Sequence, residues 1–325
     1  MHVGIKGIGS ELPGEIITNG CLQESAGLSD EWITARTGIR ERRRAGTDES
    51  ASSLGAKAAL KALVKANLAA EEVDLIVCTT ISPDMPMPST ACLIQAVIGA
   101  RAAVCFDLSA ACSGFLYGLE VAEKMIRSGA YRNALVISVD LMTRWIDYSD
   151  AQTCALFGDG AGAVVLESTE VGKGILGTKV YSNGHLSELA FIPAGGSKLP
   201  TSQQTLDENL HKLKMNGKRT FKYAVQSMTA ACEELLKSLN LCPCQIDLVI
   251  PHQANQRIID AVSIALEMDS EKVFSNITEV GNTAAASIPI ALDCCISQGK
   301  INSGDTVLLT AFGGGAAWGA SLIRF

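Results

Sequence analysis

Ala69-Ala-Glu-Glu-Val-Asp-Leu-Ile-Val77 recurs in type and order as Cys242-Pro-Cys-Gln-Ile-Asp-Leu-Val-Ile250. In both an acid precedes the same short apolar run, and a helical pattern leads in, from Leu54 to Asp74 and from Phe221 to Asp247. A second pair obeys the same rule: Leu156-Phe-Gly-Asp-Gly-Ala-Gly-Ala-Val-Val-Leu166 parallels Ala311-Phe-Gly-Gly-Gly-Ala-Ala-Trp-Gly-Ala-Ser321. Such self-similarity reads as an internal duplication. Helical patterns alternating with short buried strands argue an α/β fold whose central sheets are covered by helices. The division falls where Glu170-Val-Gly-Lys-Gly separates a finished strand from the next block, giving halves 1–172 and 173–325 without a flexible linker. Between Pro193 and Lys222, Gly, Ser, Pro, Gln and Lys dominate, which predicts an irregular excursion.

The bulk composition bounds the function. A chain of 325 residues, 47% hydrophobic and 19% charged, can bury a large core. Met1 to Ser10 begins with a strand-like alternation and lacks the basic start and long apolar stretch of a secretion signal. No segment is apolar for long enough to insert into a membrane. Eleven cysteines, the neighbours Cys294 and Cys295 among them, lie scattered without the spacing of a disulfide scaffold, so a reducing cytoplasm is the expected location. Cys242-Pro-Cys244 has one intervening residue and no second ligand pair nearby, so no metal is expected there. A net charge of −7 and a pI near 5.2 argue against nucleic acid as a partner. Basic residues cluster locally all the same, in Arg40, Arg42, Arg43 and Arg44 and in Lys212, Lys214, Lys218, Arg219 and Lys222. Each group reads either as a solvated face or as a surface for an anionic partner.

The chemistry starts at Cys105-Phe-Asp-Leu-Ser-Ala-Ala-Cys112-Ser-Gly-Phe-Leu-Tyr-Gly-Leu, an apolar strand ending in small residues, a thiol and an amphipathic helix. Backbone N–H groups at a helix start favour negative charge, so Cys112 is expected to ionise readily and to attack a thioester carbonyl. Ser109, Ala110, Ala111, Ser113 and Gly114 keep the approach open. Downstream, Gln245-Ile-Asp-Leu-Val-Ile250 predicts a buried strand running into Pro251-His252-Gln253-Ala254-Asn255, which puts His252 at a strand's C-terminal end, a usual place for site residues in α/β folds. Asn282 follows, among glycine and small residues, in Gly281-Asn-Thr-Ala-Ala-Ala-Ser-Ile-Pro289.

Taken together in this order, Cys112, His252 and Asn282 with their surrounding residues resemble the catalytic triad of the β-ketoacyl-acyl carrier protein synthase III family. The likeness extends to Asp30-Glu-Trp32-Ile-Thr-Ala-Arg36-Thr-Gly-Ile-Arg40-Glu-Arg42, Pro88-Ser-Thr-Ala-Cys92, Phe157-Gly-Asp-Gly-Ala-Gly162 and Ala311-Phe-Gly-Gly-Gly315, and so across nearly the whole chain. The resemblance implies the five-layered thiolase-like fold, a homodimer, and a decarboxylative Claisen condensation of acyl-coenzyme A with malonyl-acyl carrier protein through an acyl-cysteine. It implies no cofactor, coenzyme A entering as the substrate's thioester. It also implies roles. Cys112 takes the acyl group, His252 and Asn282 donate hydrogen bonds to the malonyl thioester oxygen, and the backbone N–H groups of Cys112 and Gly314 form the other oxyanion hole. Trp32 and Arg36 would hold coenzyme A, and Met87, Phe157 and Phe312 would border the acyl pocket. Lys218, Arg219, Lys222 and Arg257 would dock the carrier protein. Methionine at 87, where many relatives carry an aromatic ring, predicts room for a chain longer than acetyl.

Two departures matter. Ala151 stands after Asp150 where the family commonly has an arginine, and the helix after Arg257 reads Ile258-Ile-Asp-Ala-Val-Ser-Ile-Ala-Leu266, without the lysines of some relatives. They keep open a specialised condensing enzyme of secondary metabolism. From other classes, the Cys, His, Asn order also resembles a cysteine hydrolase, and a noncatalytic acyl-carrier binding protein would leave the triad unexplained.

Overall fold

The structure, a computed structural model, describes residues 2–325, Ser25 by its backbone only. Met1, which heads the strand-like alternation, lies outside the described residues; the strand itself is His2–Glu11. It forms one edge of a five-stranded sheet, followed in spatial order by Asp159–Thr169, Asn133–Leu141, Leu75–Thr79 and Val104–Leu108. The last three run parallel and the first two pairings are antiparallel. Leu75–Thr79 and Asn133–Leu141 are buried at every residue, as strands covered on both faces must be, which is why they lack the polar alternation of a one-sided sheet. The second sheet is four-stranded, Leu248–Pro251, Thr306–Gly313, Ala317–Arg324 and Gly174–Ser182, again with a parallel pair at one end. The chain crosses from the first sheet to the second between Thr169 and Gly174.

Two helices lie between the sheets. Gly114–Arg127 presents Phe115, Leu119, Ala122 and Ile126 along one face, with Leu116 beside them, all at 0–1% exposure. Burying each of the large side chains contributes about 1.5–3 kcal/mol. Ser287–Ser297 adds Ile288, Ala291, Leu292 and Cys295 to the same core, which takes in residues of both sheets. The outer face of the first sheet is covered by Ala51–Ala66 and Thr90–Ile98, and that of the second by Gly217–Ser238 and Gln256–Ala265. The order helix, sheet, helix, sheet, helix is the expected five-layered thiolase-like arrangement.

Three readings need correction. The strand anticipated from Gln245 begins only at Leu248, because Pro243–Gln245 closes a 3-10 turn and the Asp247 carboxylate accepts the Thr306 N–H at 2.8 Å. The excursion from Pro193 is not irregular throughout. It holds the short helix Gln203–Asp207 and, from Gly217, a 22-residue helix capped by Asn216, so Lys218, Arg219 and Lys222 stand on regular helical turns. Cys242 and Cys244 are joined in a disulfide. Finally, Arg42 is no surface charge: it is 2% exposed and donates to Ile17 O, Asn19 Oδ1 and Ala155 O. Among the described residues no helix is long and apolar enough to cross a membrane.

Candidate active site

Cys112 sits between the strand Val104–Leu108 and the helix Gly114–Arg127, on the single 3-10 turn Ala111–Ser113. Ala111 adopts φ +47°, a left-handed conformation that costs an alanine about 1–2 kcal/mol and is held by its surroundings. The Ser113 hydroxyl donates to Ala317 O at 2.8 Å, and the strand Thr306–Gly313 lies so close that a Cβ on Gly313 would come within 2.8 Å of Cys112 N. A thiol at a helix start is thus where the sequence placed it. Its ionisation is another matter. Burial pushes the Cys112 thiol up to about 12 and the Asp140 carboxylate adds to this, while the Gly314 and Cys112 backbone N–H groups act the other way and are outweighed. Burial thus favours the neutral Cys112 thiol over the ready thiolate expected.

His252 follows the strand Leu248–Pro251 and is tied to its neighbour by its N–H, which donates to Thr310 O at 2.7 Å. It is 1% exposed, and desolvation alone pulls its pKa down to about 3, so the ring is neutral. Nδ1 lies 2.6 Å from Ser287 Oγ. Asn282 is clamped by its backbone, its N–H donating to Leu156 O at 2.9 Å and its carbonyl accepting from Gly158 N–H at 3.0 Å. Its side-chain Oδ1 accepts the Ala284 N–H at 2.9 Å, which leaves the amide NH2 as the end free to donate.

These three residues line one cavity of about 520 Å³ together with Phe157, Phe312, Gly313 and Gly314. Trp32, Arg36, Ala151, Gln152, Lys218, Phe221 and Arg257 line it as well. A second, largely apolar cavity of about 550 Å³ also begins at Cys112 and is lined by Ile81, Met142, Phe157, Ile192, Leu213 and Ala284, among others. The thiol therefore stands where two largely apolar cavities meet, the first of which is also lined by the basic residues Arg36, Lys218 and Arg257.

The remaining anticipated residues fall as follows. The Arg36 guanidinium lies 4.3 Å over the Trp32 ring, and Asn255 Nδ2 donates to Arg36 O at 3.0 Å, joining the helix Asp30–Thr37 to the residues just after His252. Arg219 and Lys222 are exposed on the helix that carries Lys218 but do not line the cavity. Phe157 borders both cavities; Phe312 borders only the first and stacks on Trp318 with centroids 6.3 Å apart. Met87 is 83% exposed and lines neither.

Several residues that hold the site went unread in the sequence. Asp140 is fully buried and accepts hydrogen bonds from Thr80 Oγ1, Ile81 N, Ser82 Oγ and Ala285 N at 2.9–3.1 Å, tying the first sheet to the turn after Asn282. Burial raises its carboxyl to about 6 against those bonds. Arg42, lowered to about 10 by burial, anchors Ala155 and with it the segment that pairs with Asn282. Only the run of small residues around Asn282 hinted at such packing, and the buried polar partners left no periodic signal. Among the described residues no cluster of three metal-ligating side chains occurs.

Comparison with known proteins points one way. Residues 106–184 match the family model for 3-oxoacyl-[acyl-carrier-protein] synthase III, and residues 236–325 match that for its C-terminal part. The chain is 46% identical to the β-ketoacyl-[acyl-carrier-protein] synthase III of Caldanaerobacter subterraneus subsp. tengcongensis, covering 99% of this chain and 97% of the relative. The crystal structure of 3-oxoacyl-[acyl-carrier-protein] synthase III from Aquifex aeolicus superposes with a TM-score of 0.93 at 46% identity, covering 99% of this chain and 100% of the other. The priming β-ketosynthase of the R1128 polyketide pathway gives the same TM-score at 32% identity, over 100% and 96%.

Proposed function

This chain belongs to the β-ketoacyl-acyl carrier protein synthase III family, acyltransferases that perform a decarboxylating condensation in fatty acid synthesis, and from that premise we propose how its own residues divide the work. In the first stage Cys112 Sγ bonds to the acyl carbon of acyl-coenzyme A, the bond to the coenzyme A sulfur breaks, and the thiol proton leaves with coenzyme A. No lasting thiolate is required, which suits a thiol that burial keeps neutral. In the second stage malonyl-acyl carrier protein loses carbon dioxide, and the electron pair of the broken bond becomes an enolate with its charge on the thioester oxygen. His252, neutral because buried, and the free NH2 of Asn282 donate to that oxygen. The enolate carbon then attacks the acyl-cysteine carbonyl. The oxygen of that carbonyl is received by the Cys112 and Gly314 N–H groups, the carbon–Sγ bond breaks to release the β-ketoacyl-carrier protein, and the departing Cys112 sulfur takes a proton from solvent water. The chemistry needs no bound cofactor.

The observation that carries this reading is the position of Cys112 at the junction of two cavities, with both side-chain donors on one of them. Trp32 and Arg36 would steady coenzyme A, with Arg257, Lys218, Arg219 and Lys222 meeting the carrier. Phe157 and Phe312 would border the acyl chain, and Met87 would close the pocket of a partner subunit. The strand Val104–Leu108 is a sheet edge with no further strand beside it and Val104 is 49% exposed, which supports a homodimer joined along that edge. We read 1–172 and 173–325 as the duplicated halves and place the protein in the cytoplasm. The polyketide priming reading is not favoured, since the synthase III of Aquifex aeolicus is 46% identical to this chain and the polyketide ketosynthase 32%.

Mass spectrometry of the intact protein after exposure to a panel of acyl-coenzyme A thioesters tests the proposal. A persistent adduct on Cys112, with chains longer than acetyl accepted, is the expected result, followed by condensation with malonyl-carrier protein faster than with malonyl-coenzyme A. Rapid release of free acid, or no adduct, would overturn it.

A further inference from the structure

We propose that Ser287 is a positioning residue that fixes the tautomer of His252: its hydroxyl donates to Nδ1, so the ring carries its proton on Nε2 and offers it to the cavity. Ser287 opens the helix Ser287–Ser297 and is 1% exposed. Its Oγ lies 2.6 Å from His252 Nδ1 and 3.3 Å from the Gln253 backbone nitrogen, and has no further partner among the described residues. A backbone N–H can only donate, so Oγ accepts from Gln253. The hydroxyl hydrogen then has a single acceptor within reach, Nδ1. Were Nδ1 protonated instead, Oγ would face two donors and its own hydrogen would be buried without an acceptor, which disfavours that tautomer by about 10-fold or more.

The direction of this chain is itself built in. Gln253 is 1% exposed and held by its side chain, with Nε2 donating to Pro251 O at 2.7 Å and to Phe274 O at 3.3 Å, and Oε1 accepting the Asn276 N–H at 3.0 Å. Gln253 N–H thus donates to Ser287 Oγ and Ser287 O–H to His252 Nδ1, a one-way relay that ends on the ring acceptor. Its consequence for catalysis rests on the condensing-enzyme reading above. With Nε2 protonated, His252 is a hydrogen-bond donor to the enolate and cannot accept the Cys112 proton there. The serine therefore selects between the two roles open to a histidine beside a thiol.

The test uses protein with 15N-labelled imidazoles near neutral pH. The sequence has four histidines, and His252→Gln identifies the relevant signals. The wild type should show an unprotonated Nδ1 and a protonated Nε2. Ser287→Ala should give a mixture of tautomers and a loss of about 10-fold in decarboxylation of a malonyl thioester, equivalent to about 1.4 kcal/mol. Ser287→Thr, which keeps the hydroxyl, should restore both. A wild-type ring protonated on Nδ1 would overturn the assignment, as would a Ser287→Ala protein indistinguishable from wild type in spectrum and rate. If the wild-type spectrum is as expected but no malonyl thioester is decarboxylated, the tautomer assignment is upheld and the condensing-enzyme reading fails.

Discussion

Replacing Gly313 by alanine adds one methyl group at the tightest point of the site. The new Cβ would stand 2.8 Å from Cys112 N, 3.0 Å from Ser113 N and 3.1 Å from Ala110 O, where ordinary contact begins at 3.4 Å. All three neighbours are backbone atoms, so no side chain can rotate away. The turn carrying the thiol must shift by several tenths of an ångström. Overpacking of this kind costs about 1–3 kcal/mol of stability, and a nucleophile displaced toward 1 Å loses about 100-fold in rate. We expect acylation of Cys112 to fall by about 10- to 100-fold, measured as adduct against time by intact mass spectrometry, with a lowered melting temperature. Gly314→Ala is the control, since its Cβ would crowd only Ala190 O at 3.1 Å and would lie 3.8 Å from Ala111 Cβ. It should cost less than about 5-fold. If Gly313→Ala acylates at the wild-type rate, the turn is softer than the packing implies and the reasoning fails.

Cys112→Ser should abolish the acyl adduct while leaving malonyl decarboxylation, and Asn282→Ala should depress decarboxylation more than acylation; the reverse pattern in either would remove that residue from its role. Acid should weaken the fold through His252. With a folded pKa near 3 against 6.5 unfolded, its contribution is complete above pH 6.5 and is lost as pH falls toward 3, with a slope up to about 1.4 kcal/mol per pH unit. Asp140, raised from 3.8 to about 6, acts oppositely, stabilising below 3.8 and losing that as pH rises through 6. The comparison is therefore between wild type and His252→Gln in urea: the wild type's advantage should shrink as pH drops from 6.5, and parallel curves would refute the assignment. Arg42→Met should lower unfolding free energy by about 2–4 kcal/mol, because Ile17 O, Ala155 O and Asn19 Oδ1 lose their donor. An unchanged urea midpoint would show that the guanidinium does not anchor that segment.

The sheets were legible because burial on both faces leaves unbroken apolar runs, as in Leu75–Thr79 and Leu248–Pro251, and because the same runs appear twice. Strand ends were less so. Ile246 is buried like a strand residue, yet it caps a 3-10 turn, and one sequence cannot separate those cases. Cys112, His252 and Asn282 were readable as motifs and do share a cavity. Their supports were not: Asp140, Arg42 and Ser287 act through partners more than 20 residues away in the chain, which no periodicity encodes. Arg42 misled outright, since a run of arginines looks solvated until one of them proves to be enclosed. The thiol's ionisation failed for a related reason, because proximity to a helix start is written in the sequence and desolvation is not.

The left-handed alanine before the reactive sulfur has a twin. Ala284, at φ +48°, opens the turn that leads into Ser287–Ser297 just as Ala111, at +47°, opens the one into Gly114–Arg127, and the residue matching Cys112 is Ala285. The two turns sit back to back, so closely that a methyl on Gly114 would come within 3.2 Å of the Ala285 side chain. The matched turns thus differ at the position that decides chemistry, a thiol in one and a methyl group in the other. Ala285 is 1% exposed and carries no reactive group, so its turn serves as the inert backing against which the thiol's turn is set.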